Sequence, residues 1–145
     1  MKKSVVVTIV LLLAFALFRY GSEAYMNRGS DYPEGPTVNG EELFVDYPAN
    51  TFYTSANMEE DSLFTGTSVR FHPNGELLVK GGIKNGKLHG PFDSWYENGQ
   101  KQMSLIWYEG ERIRRFKAFH SNGDEVEGDS KEIAKKIFSG QMVLD

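Results

Sequence analysis

The side chains that could take part in chemistry are three histidines, His72, His89 and His120, and abundant carboxylates. Both types act as general bases and as ligands of metals such as Zn²⁺. His72 and His120 occupy equivalent positions of a regular pattern, with Tyr96 midway between them. A metal site needs ligands that converge, whereas equivalent positions on neighbouring strands lie in a row about 4.8 Å apart. We therefore expect surface or packing roles for the histidines and no metal site.

Motifs of common catalytic sites do not occur in the sequence. It has no Gly-x-Ser-x-Gly, no His-Glu-x-x-His and no dinucleotide fingerprint. Cysteine is absent, which excludes disulfides, thiol nucleophiles and thiolate metal sites. The segment "GGIKNGK" (81–87) lacks the spacing of a phosphate-binding loop. We expect neither an enzyme nor a cofactor, although a glycosidase-type pair of carboxylates stays open from the sequence.

The strongest concentration of charge is the segment "ERIRRFK" (111–117). In a strand, Arg112 and Arg114 share one face, and Arg115 and Lys117 share the other. Three interpretations are open: a solvated strand end, a site for an acidic partner or lipid head group, or a cluster neutralised by the acidic segment 25–61. The formal net charge of −4 argues against general attraction to nucleic acid or anionic lipid.

Regularly spaced glycines indicate the elements that position these side chains. Gly75, Gly99 and Gly123 each follow an asparagine and lie 24 residues apart, and Gly86 and Gly110 form a second series with the same spacing. The runs between them are rich in aromatic and β-branched residues, which predicts strands. Asn-Gly favours a type I′ turn because both residues tolerate positive φ. Each 24-residue unit is therefore predicted to be an antiparallel strand pair, and stacked units a meander.

The segment "NGELLVKGGIKNGKLHGPFDSWYENGQ" (74–100) resembles the bacterial variant of the MORN repeat. That repeat alternates a "Tyr/Trp-Tyr-x-Asn-Gly-Lys/Gln" turn with an "x-Asn-Gly-Lys-x-x-Gly" turn. "LFTGTSVRFHPNGE" (63–76) is similar to the "Phe-Thr-Gly" lead-in of such arrays. The resemblance covers 62–124 and, more loosely, 41–61. It implies a fold of stacked hairpins, and it says less about function.

The third unit departs from this pattern. The glycine expected from Gly66 and Gly90 is replaced by Arg114. A terminal repeat is often atypical because it caps the stack. Bacterial members of the family are often described as YwqK-type antitoxins or immunity proteins, so the resemblance implies a protein that binds a toxin or effector.

The predicted fold is all-β. We expect an elongated antiparallel β-meander of MORN-like hairpin repeats, with an N-terminal signal or anchor helix and a short C-terminal capping helix. The predicted parts are a signal peptide or membrane anchor (1–24), a linker (25–40), the repeat domain (41–128, with clear repeats at 62–124) and a helix and tail (129–145).

The flanks of the repeats give further expectations. "EELFVDY" (41–47) is predicted to be a lead strand, and 48–62 a loop that returns to the array. Asp129 is the expected N-cap of the C-terminal helix, with Glu132 completing a capping box, and Gly140 is its expected end. The apolar residues of this helix fall on one face: Ile133, Ala134, Ile137 and Phe138.

The first residues indicate export. Lys2 and Lys3 precede the apolar run "SVVVTIVLLLAFALF" (4–18), and Ser22 and Ala24 suit positions −3 and −1 of a cleavage site. The run is shorter than the roughly 20 residues that span a bilayer comfortably. A cleaved signal peptide, an uncleaved anchor and a buried helix are the open alternatives. Either of the first two gives a periplasmic or other extracytoplasmic protein, free or anchored in the inner membrane by residues 4–18.

The expected function is therefore binding of a protein partner, such as a cognate toxin or effector, without nucleic acid. An envelope scaffold is the alternative, and peripheral membrane binding through the 111–117 cluster is a third. Aromatic and arginine side chains are the usual anchors of protein interfaces. The candidate partner-binding residues are Trp95, Tyr96, Trp107, Tyr108, Arg112, Arg114 and Arg115. The alternative for the aromatic residues is that they pack the sheet.

Overall fold

The fold is known from a computed structural model, which describes residues 31–145 except the side chains of 112–114. The predicted signal or anchor at 1–24 and the first part, 25–30, of the predicted linker 25–40 lie outside the described residues. The described chain is mostly β, with one mixed sheet of six strands, a second sheet of two strands and one C-terminal helix. No helix within residues 31–145 is long and apolar enough to cross a bilayer.

Eight strands and one helix make up the regular structure. They are β1 (Thr37–Asn39), β2 (Phe44–Asp46), β3 (Thr51–Tyr53), β4 (Gly66–Phe71), β5 (Leu77–Lys84), β6 (Lys87–Trp95), β7 (Lys101–Tyr108), β8 (Glu111–Ala118) and α1 (Ser130–Phe138). The main sheet has the order β1-β4-β5-β6-β7-β8, and β2 pairs with β3 in the small sheet. Short 3-10 helices occupy Gly40–Glu42 and Glu60–Ser62.

Strands β4 to β8 form an antiparallel meander, but the sheet is not antiparallel throughout. β1 pairs in parallel with β4, with Val38 opposite Ser68. This strand lies inside the segment predicted to be a linker. The chain before β1 lies close to the start of β4 because both have a glycine there. An added Cβ at Gly35 would collide with the backbone at 65–66, and one at Gly66 would collide with the backbone of Pro36. A strand of three residues has no period, which is why hydrophobic patterning did not reveal it.

The turns are of two kinds. The type I′ prediction is correct for the turns at one end of the strands and wrong for those at the opposite end. Asn85 and Gly86 both have positive φ (49° and 74°), which fits a type I′ turn. At Asn74-Gly75 only the glycine has positive φ, 89°. The Gly75 amide donates to the His72 carbonyl at 2.9 Å, and the His72 amide donates to the Glu76 carbonyl at 2.8 Å. This is a three-residue loop closed by a glycine bulge.

The remaining glycine turns follow the same division. Glu109 and Gly110 both have positive φ (52° and 85°), like Asn85-Gly86. Gly99 and Gly123 have positive φ (80° and 94°) after asparagines that do not. The asparagine of each three-residue loop instead accepts, through Oδ1, the amide two residues ahead at 3.0 Å. This local bond favours asparagine without requiring positive φ.

The predicted C-terminal helix is confirmed as α1. Asp129 Oδ1 accepts the amides of Lys131 (3.0 Å) and Glu132 (3.1 Å) at its start. At its end Gly140 has φ 74°, its amide donates to the Ile137 carbonyl, and the amide of the next residue donates to Lys136, as in a Schellman motif. Two buried helix residues join the core formed with β7 and β8, which comprises Leu105, Phe116, Ala118, Ile133 and Ala134.

Candidate binding surfaces

The side chains that precede the three-residue turns bond each turn to the next one. His72 Nε2 donates to the Trp95 carbonyl at 2.9 Å, and the hydroxyl of Tyr96 donates to the Phe119 carbonyl at 2.7 Å. His72 and Tyr96 thus donate equivalent hydrogen bonds from equivalent positions of the repeat. Burial, and then the charge of Asp145, raise the pKa of Tyr96. For both His72 and Tyr96, packing is one of the alternatives that the sequence left open, and these contacts are of that kind.

The turn asparagines add a second bond at each step. Asn74 Nδ2 donates to the Glu97 carbonyl at 2.9 Å, and Asn98 Nδ2 donates to the Ser121 carbonyl at 2.8 Å. Together with the bonds of His72 and Tyr96, these contacts form what we call the turn ladder. Each of its rungs joins a residue to the one 23 positions later.

The histidines do not converge. Within the described part of the chain, no group of three or more histidine, aspartate or glutamate side chains is placed to hold a metal ion. His89 accepts the amide of Glu109 at 3.4 Å, and its ring lies 5.1 Å from that of Tyr108. Burial lowers the pKa of His89, as does the charge of Lys84, while Glu109 opposes them. These are contacts of a packed turn.

The four predicted aromatic contact residues lie at opposite ends of the strands. Trp95 and Tyr96 precede a three-residue turn. Trp107 and Tyr108 precede a type I′ turn at the opposite end of the strands. Trp95 is half-buried, with Lys101 Nζ 5.5 Å from its ring centre. Trp107 packs against the core, and its buried Nε1 has no hydrogen-bond partner among the described residues. The structure therefore does not gather these four residues into one patch.

The basic segment coincides with β8, the last strand of the sheet. The side chains of Arg112 and Arg114 lie outside the described atoms, and Arg115 is exposed. The backbone of Arg115 has φ 92°, in the region that favours glycine. The register of β8 on β7 is irregular here, with Ile106 opposite Ile113 but Ser104 opposite Lys117.

The same irregularity occurs one repeat earlier, where a glycine accommodates it. Ile83 lies opposite Leu88 and Gly81 opposite Phe92, so β6 bulges in the same way as β8. In β6 the positive φ, 90°, falls on Gly90. The third repeat has no glycine there, and Arg115, next to the substituted position, takes up the conformation.

A groove of about 560 Å³ lies between the β2–β3 hairpin and the main sheet. We call it the hairpin groove. Its main-sheet residues include Val79, Ile83, Leu88 and Phe92, and its hairpin residues include Val45 and Phe52. Gly81 is required beneath Phe92, because an added Cβ would come within 2.8 Å of the ring.

Polar and aromatic side chains stand at the rim of the hairpin groove. Tyr47 is 77% exposed, and Arg70 forms an ion pair with Glu41 at 3.6 Å. The prediction of a lead strand at 41–47 and a loop at 48–62 is wrong here, because β2 spans only Phe44–Asp46 and the predicted loop contains its partner β3, so sequence reasoning does not find the groove. The short runs "LFVDY" and "TFYT" on either side of "PAN" were the available signal of a hairpin.

Residues 31–36 cross the main sheet at β5 and β6. The Tyr32 hydroxyl donates to Asp93 Oδ2 at 3.2 Å, and Lys101 Nζ contacts Asp93 Oδ1 at 2.9 Å. Lys80 Nζ lies 4.4 Å from the centre of the Tyr32 ring. Burial, followed by the charge of Asp93, raises the pKa of Tyr32 well above its usual range. This network fastens the segment to the sheet.

Comparison of the chain with protein-family models, curated proteins and solved structures finds no match. The function therefore has to be inferred from the chemistry of these surfaces. The turn ladder and the Tyr32 network have their bonding groups satisfied within the chain. Among the described residues, the hairpin groove combines an apolar lining with exposed polar and aromatic side chains, and it is the surface considered below.

Proposed function

We propose that the protein is an exported MORN-like repeat module that binds a protein partner, and that this partner is a toxin or effector which it neutralises. The hairpin groove is the observation that carries the proposal. It offers an apolar floor at Val79, Ile83 and Phe92, with Tyr47 and Arg70 at its rim. Tyrosine and arginine next to an apolar pocket are typical of the residues that dominate binding energy in protein interfaces.

The sheet supports this proposal because it is a prearranged surface. The rungs of the turn ladder fix one hairpin against the next, and Phe92 is held over Gly81. A surface that is already ordered loses little conformational freedom when it binds, which favours affinity. The choice of a toxin or effector as partner comes from the resemblance of 62–124 to bacterial MORN-type repeats.

A structural role in the cell envelope, without a toxin partner, is the second candidate. The turn ladder favours it, because bonds repeated every 24 residues suit a stiff spacer. Genomic position separates the two candidates. A gene beside a large secreted toxin favours neutralisation, and one among envelope genes favours the scaffold.

The test is capture of a partner by the full chain, purified in a mild non-ionic detergent in the form in which the cells leave it. Envelope extract is passed over the immobilised chain, and bound proteins are identified by mass spectrometry. We expect a single stoichiometric partner with toxin-like domains. Tyr47→Ala should weaken its binding by about 2 kcal/mol, roughly 30-fold, as expected for an interface anchor.

The matched control is Phe44→Ala on the same hairpin. Phe44 is 42% exposed but does not line the groove, because successive strand residues point to opposite faces. Its replacement should leave binding unchanged. Recovery of abundant envelope proteins alone, in equal amounts from all variants, would exclude the neutralisation proposal. Deletion of the gene should also sensitise cells to the captured toxin, and unchanged survival in competition would limit the function to binding.

A further inference from the structure

The small sheet has one strand edge that is paired and one that is not, as far as the described residues go. β3 is bonded on both of its sides, to β2 and to the chain beyond it. On the side away from β2, the Phe52 amide donates to the Gly86 carbonyl at 2.8 Å, and the Phe52 carbonyl accepts the Phe64 amide at 3.0 Å. β2 has β3 on one side, and no described strand lies on its other side. We call this second side the outer edge of β2.

The backbone of Val45 faces the outer edge of β2. Val45 lies opposite Phe52 in the register of the hairpin. Because both backbone groups of Phe52 point away from β2, these two residues form a non-hydrogen-bonded pair. The bonds between β2 and β3 are therefore made by the pairs on either side of it. The N–H and C=O groups of Val45 point outward, where a further strand can bond to them.

The hairpin groove lies on the face of β2 to which the side chain of Val45 points. Leu43, Val45 and Tyr47 alternate along the chain, and all three line the groove. Alternate side chains of neighbouring strands share one face of a sheet. A strand added at the outer edge of β2 would therefore direct every second side chain into the groove, towards apolar residues of the main sheet such as Val79 and Phe92.

Charge indicates what the other side chains of such a strand would be. Residues 40–54, which contain the hairpin, include three acidic residues and no basic one. Glu41 pairs with Arg70, whereas Glu42 and Asp46 have no ion pair within the described residues. Asp46 lies on the face of β2 away from the groove, since it follows Val45. A basic residue directly opposite Asp46 would be favourable, and pairing of two copies through β2 would bring their acids together.

We propose that the outer edge of β2 binds an extended segment of a partner protein, in which apolar residues alternate with basic ones. The apolar side chains enter the hairpin groove, and the basic side chains lie on the face that carries Asp46. Backbone hydrogen bonds to Val45 provide the pairing, and the alternation provides specificity. This proposal rests on the proposed protein-binding function and names the chemistry of the segment that is bound.

The probe is a fluorescent ten-residue peptide that alternates valine with lysine, and its counterpart has glutamate in place of lysine. With the full chain in mild detergent, we expect the lysine peptide to bind about tenfold more tightly. It should slow hydrogen exchange most at the Val45 amide, because the Phe44 and Asp46 amides already bond to β3. Equal binding of both peptides would overturn the proposal. So would a Val45 amide that is protected before peptide is added, since the edge would then be occupied.

Methylated peptides test the backbone bonds without changing the protein. N-methylation of the valines alone, or of the lysines alone, removes the donors from one edge of the lysine peptide or from the other. One of the two methylated peptides should bind at least about tenfold more weakly than the other. Which peptide is weakened shows whether the added strand is antiparallel or parallel. Equal affinities of the two methylated peptides would overturn the proposal.

The variant Val45→Pro removes the donor from the edge of the protein. Proline is tolerated where the N–H of an edge strand points away from its neighbour, so the substitution should cost no bond to β3. The matched variant is Val45→Ala, which also alters the side chain but keeps the N–H. We expect Val45→Pro to bind the lysine peptide about tenfold more weakly than Val45→Ala does. Equal affinities of two folded variants would overturn the proposal, and the methylated peptides decide if the proline variant does not fold.

Reversal of one charge tests the basic side chains of the partner. Asp46→Lys should remove the preference for the lysine peptide over the glutamate peptide. Glu127→Lys makes the same change in net charge at an exposed position outside the hairpin, and it should keep the preference. Loss of the preference in both variants would mean that the peptides respond to net charge alone, which would overturn the proposal.

The outcome can be separated from that of the proposed function. If Val45→Pro captures the natural partner as well as Val45→Ala does, and Tyr47→Ala does not capture it, the edge proposal fails while the binding function stands. If no partner is captured, but the lysine peptide protects the Val45 amide and binds Val45→Pro weakly, the edge binds basic strands and the neutralisation proposal fails.

Discussion

At the scale of single residues, the third repeat is distinguished by a backbone conformation that its sequence does not suit. Arg115 has φ 92°, one position after Arg114, the residue that replaces Gly90 of the preceding repeat, whose φ is 90°. A side chain in this region costs on the order of 1–3 kcal/mol and persists only when the surrounding structure enforces it. Here the bulge against β7 accompanies it, since β8 has the same register shift against β7 that β6 has against β5.

Replacing Arg115 by glycine should therefore stabilise the protein. Relative to Arg115→Ala, which removes the side chain but keeps a Cβ, we expect Arg115→Gly to raise the free energy of unfolding by about 1 kcal/mol. Urea denaturation followed by tryptophan fluorescence would measure the difference. A glycine variant less stable than the alanine variant would mean that Arg115 is not held at positive φ in solution.

Residue types predicted the positions of the turns but not all of their conformations. The glycine series located five corners of the sheet, and positive φ is found at each of the five glycines. Asn74 has two ways to satisfy a turn, through positive φ or through its side-chain oxygen, and its sequence neighbours do not distinguish them. Only the register between flanking strands shows which one is used. The binding role of the predicted aromatic and arginine residues stays a prediction.

At the scale of elements, α1 packs on the sheet at β7 and β8. Its two buried residues, Ile133 and Ala134, meet Leu105, Phe116 and Ala118 in one cluster. The helix was predictable because its period, cap and terminal glycine agree with one another. The hairpin groove was not, because β2 and β3 have three residues each and their partner is a distant part of the main sheet.

Truncating the helix contact should destabilise the fold markedly. Ile133 is 7% exposed, and Ile133→Ala is expected to cost about 2–4 kcal/mol through lost burial and the cavity left behind. Val143, 84% exposed, is the control, and Val143→Ala should change stability by less than about 0.5 kcal/mol. The unfolding temperatures of the two variants would measure this difference. Equal unfolding temperatures would show that α1 does not pack on the sheet as described.

At the scale of the whole molecule, one end of the described chain is bonded to the middle of the sheet. Tyr32 reaches Asp93 on β6, and Asp93 also binds Lys101 on β7. The side chain of Asp93 is 13% exposed, so this carboxylate depends on its two partners. The network couples the segment before β1 to the central strands. Its loss should therefore lower the free energy of unfolding of the whole sheet.

This coupling predicts a loss of stability at alkaline pH. The pKa of Tyr32 is raised in the folded state, so its contribution is fully present below the ordinary tyrosine pKa of 10.0 and declines as the pH rises above it. We expect the stability difference between the unaltered chain and Tyr32→Phe to shrink between about pH 9 and about pH 11. Urea midpoints across this range would measure it. A difference that stays constant over the same range would show that burial beside Asp93 does not raise the pKa of Tyr32.

The turn ladder also sets a rule for how such a chain can grow. Because each rung spans 23 residues and each hairpin 24, duplicating one hairpin in frame would give every donor a new acceptor and widen the sheet by two strands, about 10 Å. Insertion of a single strand would reverse the direction of every strand that follows. The chain would then enter α1 from the opposite end of the strands. A chain of this architecture can therefore be lengthened by whole hairpins while both ends stay as they are.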